Sequence, residues 1–170
     1  MNFNRLQDLL VHELEDLLSA EQMLVDALQK MSMAATDPEL KQAFTKHMER
    51  TRDEHVGRLH EAFQKMNHAP QTTKCKGMEG IIKEGEEITR ATGDPATRDA
   101  ALIGAAQRAE HYEMAAYGTA RAHANELGHD EVADLLQETL DNEGKTNQML
   151  TKLAEGGLLS KGINPKAEAD

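Results

Sequence analysis

Apolar residues recur at every third or fourth position through four long stretches of this chain. These stretches cover about residues 4–33, 38–67, 97–127 and 129–155. Such spacing is typical of amphipathic helices that bury one face. Glycine and proline concentrate between these stretches or at their ends, where they punctuate helices. The pattern therefore predicts four long helices and no strands.

The connections between these helices differ in length. Asp37 followed by Pro38 predicts the start of the second helix, because this pair reads as an N-cap and a first helical proline. Gly128 predicts the end of the third helix. Residues 68–96, with a short amphipathic helix over 77–91, separate the first helix pair from the second. Two helical hairpins joined by one long crossover have the topology of ferritin-like bundles.

We therefore predict an all-α fold, a ferritin-like antiparallel four-helix bundle with a short fifth helix in the long crossover. A chain of 170 residues is long enough to form one domain with its own apolar core. Residues 1–158 are expected to form the bundle. Residues 159–170 are expected to form a polar, frayed C-terminal tail.

Polar side chains interrupt the apolar stripes near the middle of all four helices. A buried ionised carboxylate is costly unless a metal, a proton or a cationic side chain compensates its charge. Carboxylate oxygens together with imidazole nitrogen suit iron or manganese better than zinc. A metal site on the facing helices is therefore predicted. Its candidate ligands are Glu21, His55, Glu110, Glu113 and Glu143.

The positions of these residues along their helices indicate that the candidate ligands lie at the same height in the predicted bundle. Glu113 and Glu143 each lie about 15 residues from the Gly128 turn, so an antiparallel pair of helices brings them level. The same comparison across the first turn places Glu21 opposite residues 49–52. Glu49 and Arg52 are therefore possible additional members of the site.

Composition narrows the range of partners. The net charge of −11 repels phosphate backbones, and the chain has no Trp, three Phe and two Tyr for base stacking. No apolar run approaches the ~20 residues of a membrane span, and the first residues lack the apolar segment of a signal peptide. We expect no nucleic-acid partner, no membrane association and a cytoplasmic location. The single cysteine, Cys75, cannot form a disulfide framework or a thiolate metal cluster.

Two segments resemble motifs of rubrerythrins. The segment EHYE at 110–113 is similar to the Glu-x-x-Glu of their third helix, and Glu143 follows at the expected interval. The segment RDEHVGRL at 52–59 resembles their second-helix motif, in which a glutamate stands three residues before the histidine. This chain has Arg52 at that position, and Thr146 stands where a further histidine ligand is expected. The resemblance implies a rubrerythrin-like carboxylate site with two positions altered. With these two changes, a single metal ion or none is as compatible with the site as two.

A closer resemblance covers nearly the whole chain and is to the YciF-type bacterial stress-response family. It implies a ferritin-like, rubrerythrin-related bundle that is commonly a homodimer, and it leaves the chemistry open. The segments that carry it are LSAEQ (18–22), CKGMEG (75–80), RDAALIGAAQ (98–107), EHYEMAAYGT (110–119) and LLQETL (135–140).

Two functions are compatible with these features. The first is a stress-response protein whose site binds iron or manganese and reacts with oxygen or peroxide. Glu113 or Glu143 would bridge the metals, and Glu21, His55 and Glu110 would be terminal ligands. Rubrerythrins feed such a site from a cysteine-ligated iron domain, which one cysteine cannot build. An external reductant is therefore expected if the site is redox-active.

The second function is that of a metal-free dimeric structural or interaction protein. Its acidic core would be neutralised by Arg52 and by protonation of the glutamates, since a guanidinium is always charged. His47, at the edge of the second apolar stripe, and His111, beside the paired glutamates, are interpreted as packing residues or as side chains that orient the carboxylates.

Overall fold

The computed structural model describes residues 3–71, 73–157 and 160–168, and it confirms the prediction of an all-α fold. A single turn of π-helix, Thr51–His55, joins the second and third helices into one continuous rod. A two-residue antiparallel pairing joins β1 (Gly156–Gly157) to β2 (Ser160–Lys161). The helices are α1 (Leu6–Ala34), α2 (Pro38–Arg50), α3 (Val56–Lys65), α4 (Lys76–Thr89), α5 (Pro95–Glu126), α6 (Asp130–Glu155) and α7 (Ile163–Ala167).

The ends of the long helices follow the sequence signals. Asp37 caps α2 by accepting a hydrogen bond of 2.9 Å from the backbone N–H of Glu39. Asp94 caps α5 in the same way, and proline is the first residue of both helices. Gly128 has a positive φ of 74°, which permits the left-handed turn between α5 and α6.

The apolar core consists of two clusters of buried side chains at opposite ends of the long helices. On α1, Leu17 belongs to one cluster and Leu24 to the other. Glu21 lies between these two leucines and is fully buried. Helix α1 packs against α2, α3, α4 and α5, and α6 packs against α5 and α3. The acidic residues therefore lie in a belt between the two apolar clusters.

The π turn changes which residues of the second rod face the core. The backbone N–H of Val56 donates to the carbonyl of Thr51, five residues earlier. In a continuous α-helix, positions eight residues apart differ by about 80° around the axis. The residue added by the π turn offsets that difference, so His47 and His55 are both buried. Met48, which a straight α-helix would place on this face, is only half-buried.

The C-terminal segment differs from the predicted frayed tail where the structure describes it. Ile163 is 3% exposed, and α7 packs against α5 and α6. Lys166 pairs with Asp37 at 2.9 Å and so ties α7 to the start of α2. Residues 159, 169 and 170 of the predicted tail lie outside the described residues. The buried side chain of Ile163, the large apolar residue of 160–168, accounts for the packing of residues 162–167.

Helix α4 of the crossover lies against α1 and α5. Its half-buried residues Ile81, Ile82 and Ile88 pack on the apolar cluster of this same chain. Nearby, the buried Asp99 of α5 fixes the turn between α1 and α2, because it accepts hydrogen bonds from the backbone N–H groups of Thr36 and Asp37. Among the described residues, no helix is both long and apolar enough to cross a membrane.

Candidate metal centre

Six ionisable side chains meet in the belt between the two apolar clusters. Helix α1 supplies one, α5 two and α6 one, while α2 and the π turn each supply a histidine. Each of these side chains is at most 3% exposed. We call this group the central cluster, and it consists of Glu21, His47, His55, Glu110, Glu113 and Glu143. The structure therefore brings together all five predicted ligands and adds His47.

Glu143 lies between the two histidines. Its Oε1 is 2.9 Å from Nδ1 of His55, and its Oε2 is 3.4 Å from Nε2 of His47. The other contacts of each histidine are made by a different glutamate. Nδ1 of His55 is 3.5 Å from Oε1 of Glu21, and Nδ1 of His47 is 3.2 Å from Oε1 of Glu110.

Two groups of three ligand atoms result, and they share Glu143. The first is formed by Glu21, His55 and Glu143, and the second by His47, Glu110 and Glu143. Within each group the three atoms lie within 4.8 Å of one another. Such spacing allows three donor atoms to converge on one cation.

The polar atoms of these groups lie close together but are poorly directed as hydrogen bonds. Both nitrogens of His47 and of His55, and both oxygens of Glu110, Glu113 and Glu143, are buried without a hydrogen-bond partner. Buried polar atoms are rarely left this way in folded proteins. The short distances are therefore electrostatic contacts and not well-directed hydrogen bonds.

The buried charges of the central cluster shift the pKa values of their neighbours. Burial lowers the pKa of His55, but the carboxylates of Glu143 and Glu21 outweigh burial and raise this pKa to about 10. Burial raises the pKa of Glu143, but His47 and His55 outweigh it and hold the pKa well below the ordinary value. Without a metal, an ion pair between Glu143 and the imidazole of His55 is therefore the favoured state.

The pKa values of two further carboxyl groups, those of Glu110 and Glu113, are raised instead of lowered. Burial, followed by repulsion from Glu143, raises the pKa of Glu110 well above its ordinary value. Burial and repulsion from Glu21 do the same to the pKa of Glu113. These two groups favour the protonated form in the metal-free protein. A bound cation would instead favour their ionised forms.

Tyr117 of α5 supports the central cluster from one side. Its hydroxyl is fully buried and donates a hydrogen bond to Oε1 of Glu21. Burial and the neighbouring Glu21 carboxylate raise the pKa of Tyr117. The tyrosine therefore stays protonated and acts as the hydrogen-bond donor to Glu21. Tyr117 thereby occupies one oxygen of Glu21 and leaves the other, Oε2, without a partner.

The predicted role of Arg52 as the cation that neutralises the core is wrong. Its side chain is 54% exposed and forms two hydrogen bonds with Asp53, at 2.7 and 2.8 Å. The π turn explains the error, because it turns Thr51 rather than position 52 towards the core. His47 and His55 are the basic side chains that contact the buried carboxylates.

The remaining candidate residues lie outside the central cluster or are otherwise engaged. Glu49 and His111 are exposed, and Nδ1 of His111 is 2.8 Å from the carbonyl of Gln107. Thr146 is buried, but its hydroxyl donates to the carbonyl of Asn142 in its own helix. These three positions therefore do not contribute to the central cluster as the sequence suggested.

Cys75 forms a separate polar group at the start of α4. Its Sγ lies 2.9 Å from the hydroxyl of Tyr112, which donates to Oδ2 of Asp16 at 2.9 Å. The backbone N–H of Met78 also donates to Sγ, so the thiol acts as the cap of α4. Burial and the nearby Asp16 raise the pKa of Cys75. A buried thiol with a raised pKa is a poor nucleophile, because the thiolate is the reactive form.

The fold and the central cluster define an all-helical protein with a buried histidine and carboxylate site. The chain belongs to the DUF892 family, described as a domain of unknown function, whose sequence model matches residues 5–164. It is 40% identical to Protein YciF of Escherichia coli (strain K12) over 169 residues, which make up 99% of this chain and 98% of that protein. The resemblance to the YciF-type family is thereby confirmed.

Solved structures agree with this assignment. The crystal structure of the E. coli stress protein YciF matches with a TM-score of 0.89 and 38% identity, covering 98% of this chain and 100% of that one. YcfI from Rhodopseudomonas palustris, described as a proposed structural protein, matches with a TM-score of 0.84 and 39% identity over 90% of this chain and 99% of its own. A protein from Xanthomonas campestris pv. campestris shares the fold, with a TM-score of 0.67 at 21% identity, over 87% of this chain and 89% of its own.

Proposed function

We propose that this protein is a ferritin-like four-helix bundle that binds two iron or manganese ions in the central cluster and reacts with oxygen or peroxide. The four rods of the bundle are α1, α2 continued by α3, α5 and α6. The observation that carries the proposal is the position of Glu143. Its two oxygens face different groups of ligand atoms, which is the arrangement expected of a carboxylate that bridges two cations.

The chemistry of the donor atoms fits such ions. The central cluster offers four carboxylates and two imidazoles, a mixture of oxygen and nitrogen donors that suits iron and manganese. The ring nitrogens of both histidines and the oxygens of three glutamates have no hydrogen-bond partner. Two bound divalent cations would balance the four buried carboxylates, which otherwise must be protonated or paired with imidazolium.

In this proposal each ion has its own histidine and glutamate. Glu21 and His55 would hold one ion, His47 and Glu110 the other, and Glu143 both. Glu113 is buried beside these groups and is a second candidate for the bridge. Bound iron or manganese would supply a Lewis acid and an electron donor for reaction with an oxidant.

The protein itself would orient the ligands and exclude water. Tyr117 holds the Glu21 carboxylate by its hydrogen bond, and the apolar clusters on either side keep the centre dry. The similarity to the stress protein YciF supports a role in stress response. Homodimer formation, a cytoplasmic location and an external reductant belong to the same proposal, the last because Cys75 is the single cysteine.

Metal content is the direct test. Protein purified without an affinity tag is reconstituted with ferrous ion under anaerobic conditions, and bound iron is measured by mass spectrometry. We expect about two ions per chain, one for each group of three ligand atoms. Glu21→Gln should retain about half of the bound metal, whereas Glu143→Gln should retain almost none, because both ions depend on it. If the reconstituted wild-type protein binds only a small fraction of one iron ion per chain, the metal proposal is rejected.

A metal-free structural protein is the second candidate. It is favoured by the 2.9 Å contact between His55 and Glu143, which can neutralise part of the acidic core without a metal. The description of YcfI as a proposed structural protein supports the same reading. In that case a chelator leaves the melting temperature of the purified protein unchanged. A metal protein instead loses stability when its ions are removed.

A further inference from the structure

A narrow apolar crevice runs between α1, α4 and α5 and reaches the central cluster. Leu24, Leu28 and Met31 of α1 form one wall, and Ile81 and Ile82 of α4 form another. Glu110 is the member of the central cluster that lines it. The crevice therefore connects the protein surface to a candidate metal ligand.

The inner end of the crevice meets an unsatisfied polar side chain. Glu110 is 1% exposed, and both of its carboxylate oxygens are buried without a hydrogen-bond partner. Oε1 of the same carboxylate lies 3.2 Å from His47. A molecule at the inner end would therefore lie beside the side chain of Glu110, which belongs to the second group of candidate ligands.

The outer end is crossed by an ion pair. Nζ of Lys30 lies 2.6 Å from Oε1 of Glu86, and the two side chains join α1 to α4 over the opening. Lys30, Glu86, Ala27 and Ile82 also line an open groove on the surface of α1 and α4. The crevice therefore continues into this groove, and the ion pair lies where the two meet.

Small residues keep the middle of the crevice open. Gly85 of α4 faces Ala105 of α5, and a Cβ built at position 85 would lie 3.8 Å from the Cβ of Ala105. An alanine therefore fits at this position, whereas a longer side chain would extend into the crevice. Gly80 provides a matched position on the same helix, because a Cβ there meets no atom within 4 Å.

We propose that this crevice is the route by which dioxygen, a small apolar molecule, reaches the central cluster, and that the Lys30–Glu86 pair closes its outer end. The proposal rests on the proposed function and adds the class of reactant. Between the ion pair and Glu110 the walls are formed mainly by alkyl groups, which offer no replacement for the hydration of an ion or of peroxide. Dioxygen gives up no hydrogen bonds on entering such a passage.

Xenon tests the route without any metal. Xenon occupies dry apolar cavities, so pressurised crystals of the metal-free protein should show xenon in the crevice. Gly85→Leu should abolish this xenon site, and Gly80→Leu should retain it. Absence of xenon from the crevice of the wild-type protein would overturn the proposal.

Reaction rates test the route in the iron-loaded protein. Gly85→Leu should bind as much iron as wild type but react with dioxygen at least about tenfold more slowly, whereas Gly80→Leu should react at the wild-type rate. The rate with hydrogen peroxide should change much less. If Gly85→Leu binds iron and reacts with dioxygen as fast as wild type, only the route is rejected. If the wild-type protein binds no iron, the proposed function fails and the route falls with it.

A second pair of variants does not depend on filling the crevice. Lys30→Ala removes the closing ion pair and should raise the rate with dioxygen about twofold or more, as expected for a gate. Lys65→Ala removes the 2.8 Å pair with Glu131, which joins α3 to α6 away from the crevice and its groove, and should leave the rate unchanged. Equal rates in Lys30→Ala and wild type would contradict the closing role of Lys30.

Discussion

His47 and His55 both contact Glu143, although their spacing of eight residues would place them about 80° apart around an ordinary α-helix. Nε2 of His47 and Nδ1 of His55 lie 3.4 and 2.9 Å from separate oxygens of this carboxylate. The π turn at Thr51–His55 makes this possible by adding one residue to the rod. Turns of this kind occur frequently at functional sites.

His47 should therefore be required for one of the two ions. We expect His47→Ala to lose about half of the iron bound after reconstitution, measured by mass spectrometry, because only the second ligand group contains this histidine. His111→Ala and Arg52→Ala are the controls, since both side chains are exposed. Loss of iron in either control, or full iron content in His47→Ala, would contradict the assignment.

Glu113 should affect the metal-free and metal-loaded proteins in opposite directions. Its raised pKa means that folding disfavours the charged form at neutral pH. Glu113→Gln removes that cost, and we expect it to stabilise the metal-free protein by about 1–3 kcal/mol at pH 7. The same variant should bind iron more weakly. Urea unfolding with and without metal measures both effects, and destabilisation of the metal-free variant would contradict this account.

The metal-free protein should lose stability as the pH rises. The folded-state pKa of His55 is about 10, above its ordinary value of 6.5. Its contribution is therefore fully present below pH 6.5 and is lost between pH 6.5 and about 10. The raised pKa values of Glu110 and Glu113 act in the same direction, because unfolding releases their protons at neutral pH. Melting temperatures measured in chelator from pH 6 to 10 should fall.

A histidine variant separates His55 from other groups that titrate in this range. His55→Gln should melt at a lower temperature at pH 6.5 and show a flatter decline towards pH 10. His60→Gln is the matched control, because His60 lies one helical turn away on the exposed side. Parallel curves for His55→Gln and wild type would show that the ion pair with Glu143 does not stabilise the metal-free fold.

Gly77 should be required for the position of Tyr112. A Cβ at residue 77 would lie 2.6 Å from Cε2 of the Tyr112 ring, too close for contact without movement. Gly77→Ala should therefore destabilise the protein by about 1–3 kcal/mol. It should also speed alkylation of Cys75, because displacement of Tyr112 uncovers the thiol. Gly80→Ala is the control and should be neutral or stabilising, since it adds a methyl group to an open helical position.

Asp99 should stabilise the turn between α1 and α2. It is buried and accepts hydrogen bonds from the N–H and hydroxyl of Thr36 and from the N–H of Asp37. Asp99→Ala leaves these donors unpaired and should cost about 2–4 kcal/mol in urea unfolding, because several hydrogen bonds to a charged acceptor are lost. Asp134→Ala, on α6 and exposed, should change stability little. Equal stability of both variants would show that Thr36 and Asp37 find other partners.

The sequence identified the helices and most of the central cluster for physical reasons. Asp37 with Pro38, and Gly128, act locally, so the helix ends that they mark do not depend on tertiary packing. Glu21, Glu110, Glu113 and Glu143 lie on uninterrupted α-helices, where the 3.6-residue period reports the buried face directly.

His47 and Arg52 could not be placed in the same way. A period of 3.6 residues carried through the π turn puts position 52 near the core and His47 at its edge, one residue out of register. The spacing of eight residues between the two histidines was the available signal. To place both histidines in the core from this spacing, one would have had to assume a π turn between them. The packing of Ile163 could likewise not be predicted. A single large apolar side chain among residues 160–168 gives no hydrophobic periodicity from which a buried helix face could be inferred.

The shared carboxylate of Glu143 has a consequence for how the centre fills. An ion held by one oxygen fixes the rotamer of Glu143 and so orders the other oxygen for the neighbouring position. The second ion would then bind to a side chain that has already lost its conformational freedom. Iron should accordingly load into the wild-type protein with positive cooperativity, so that the second ion binds more tightly than the first.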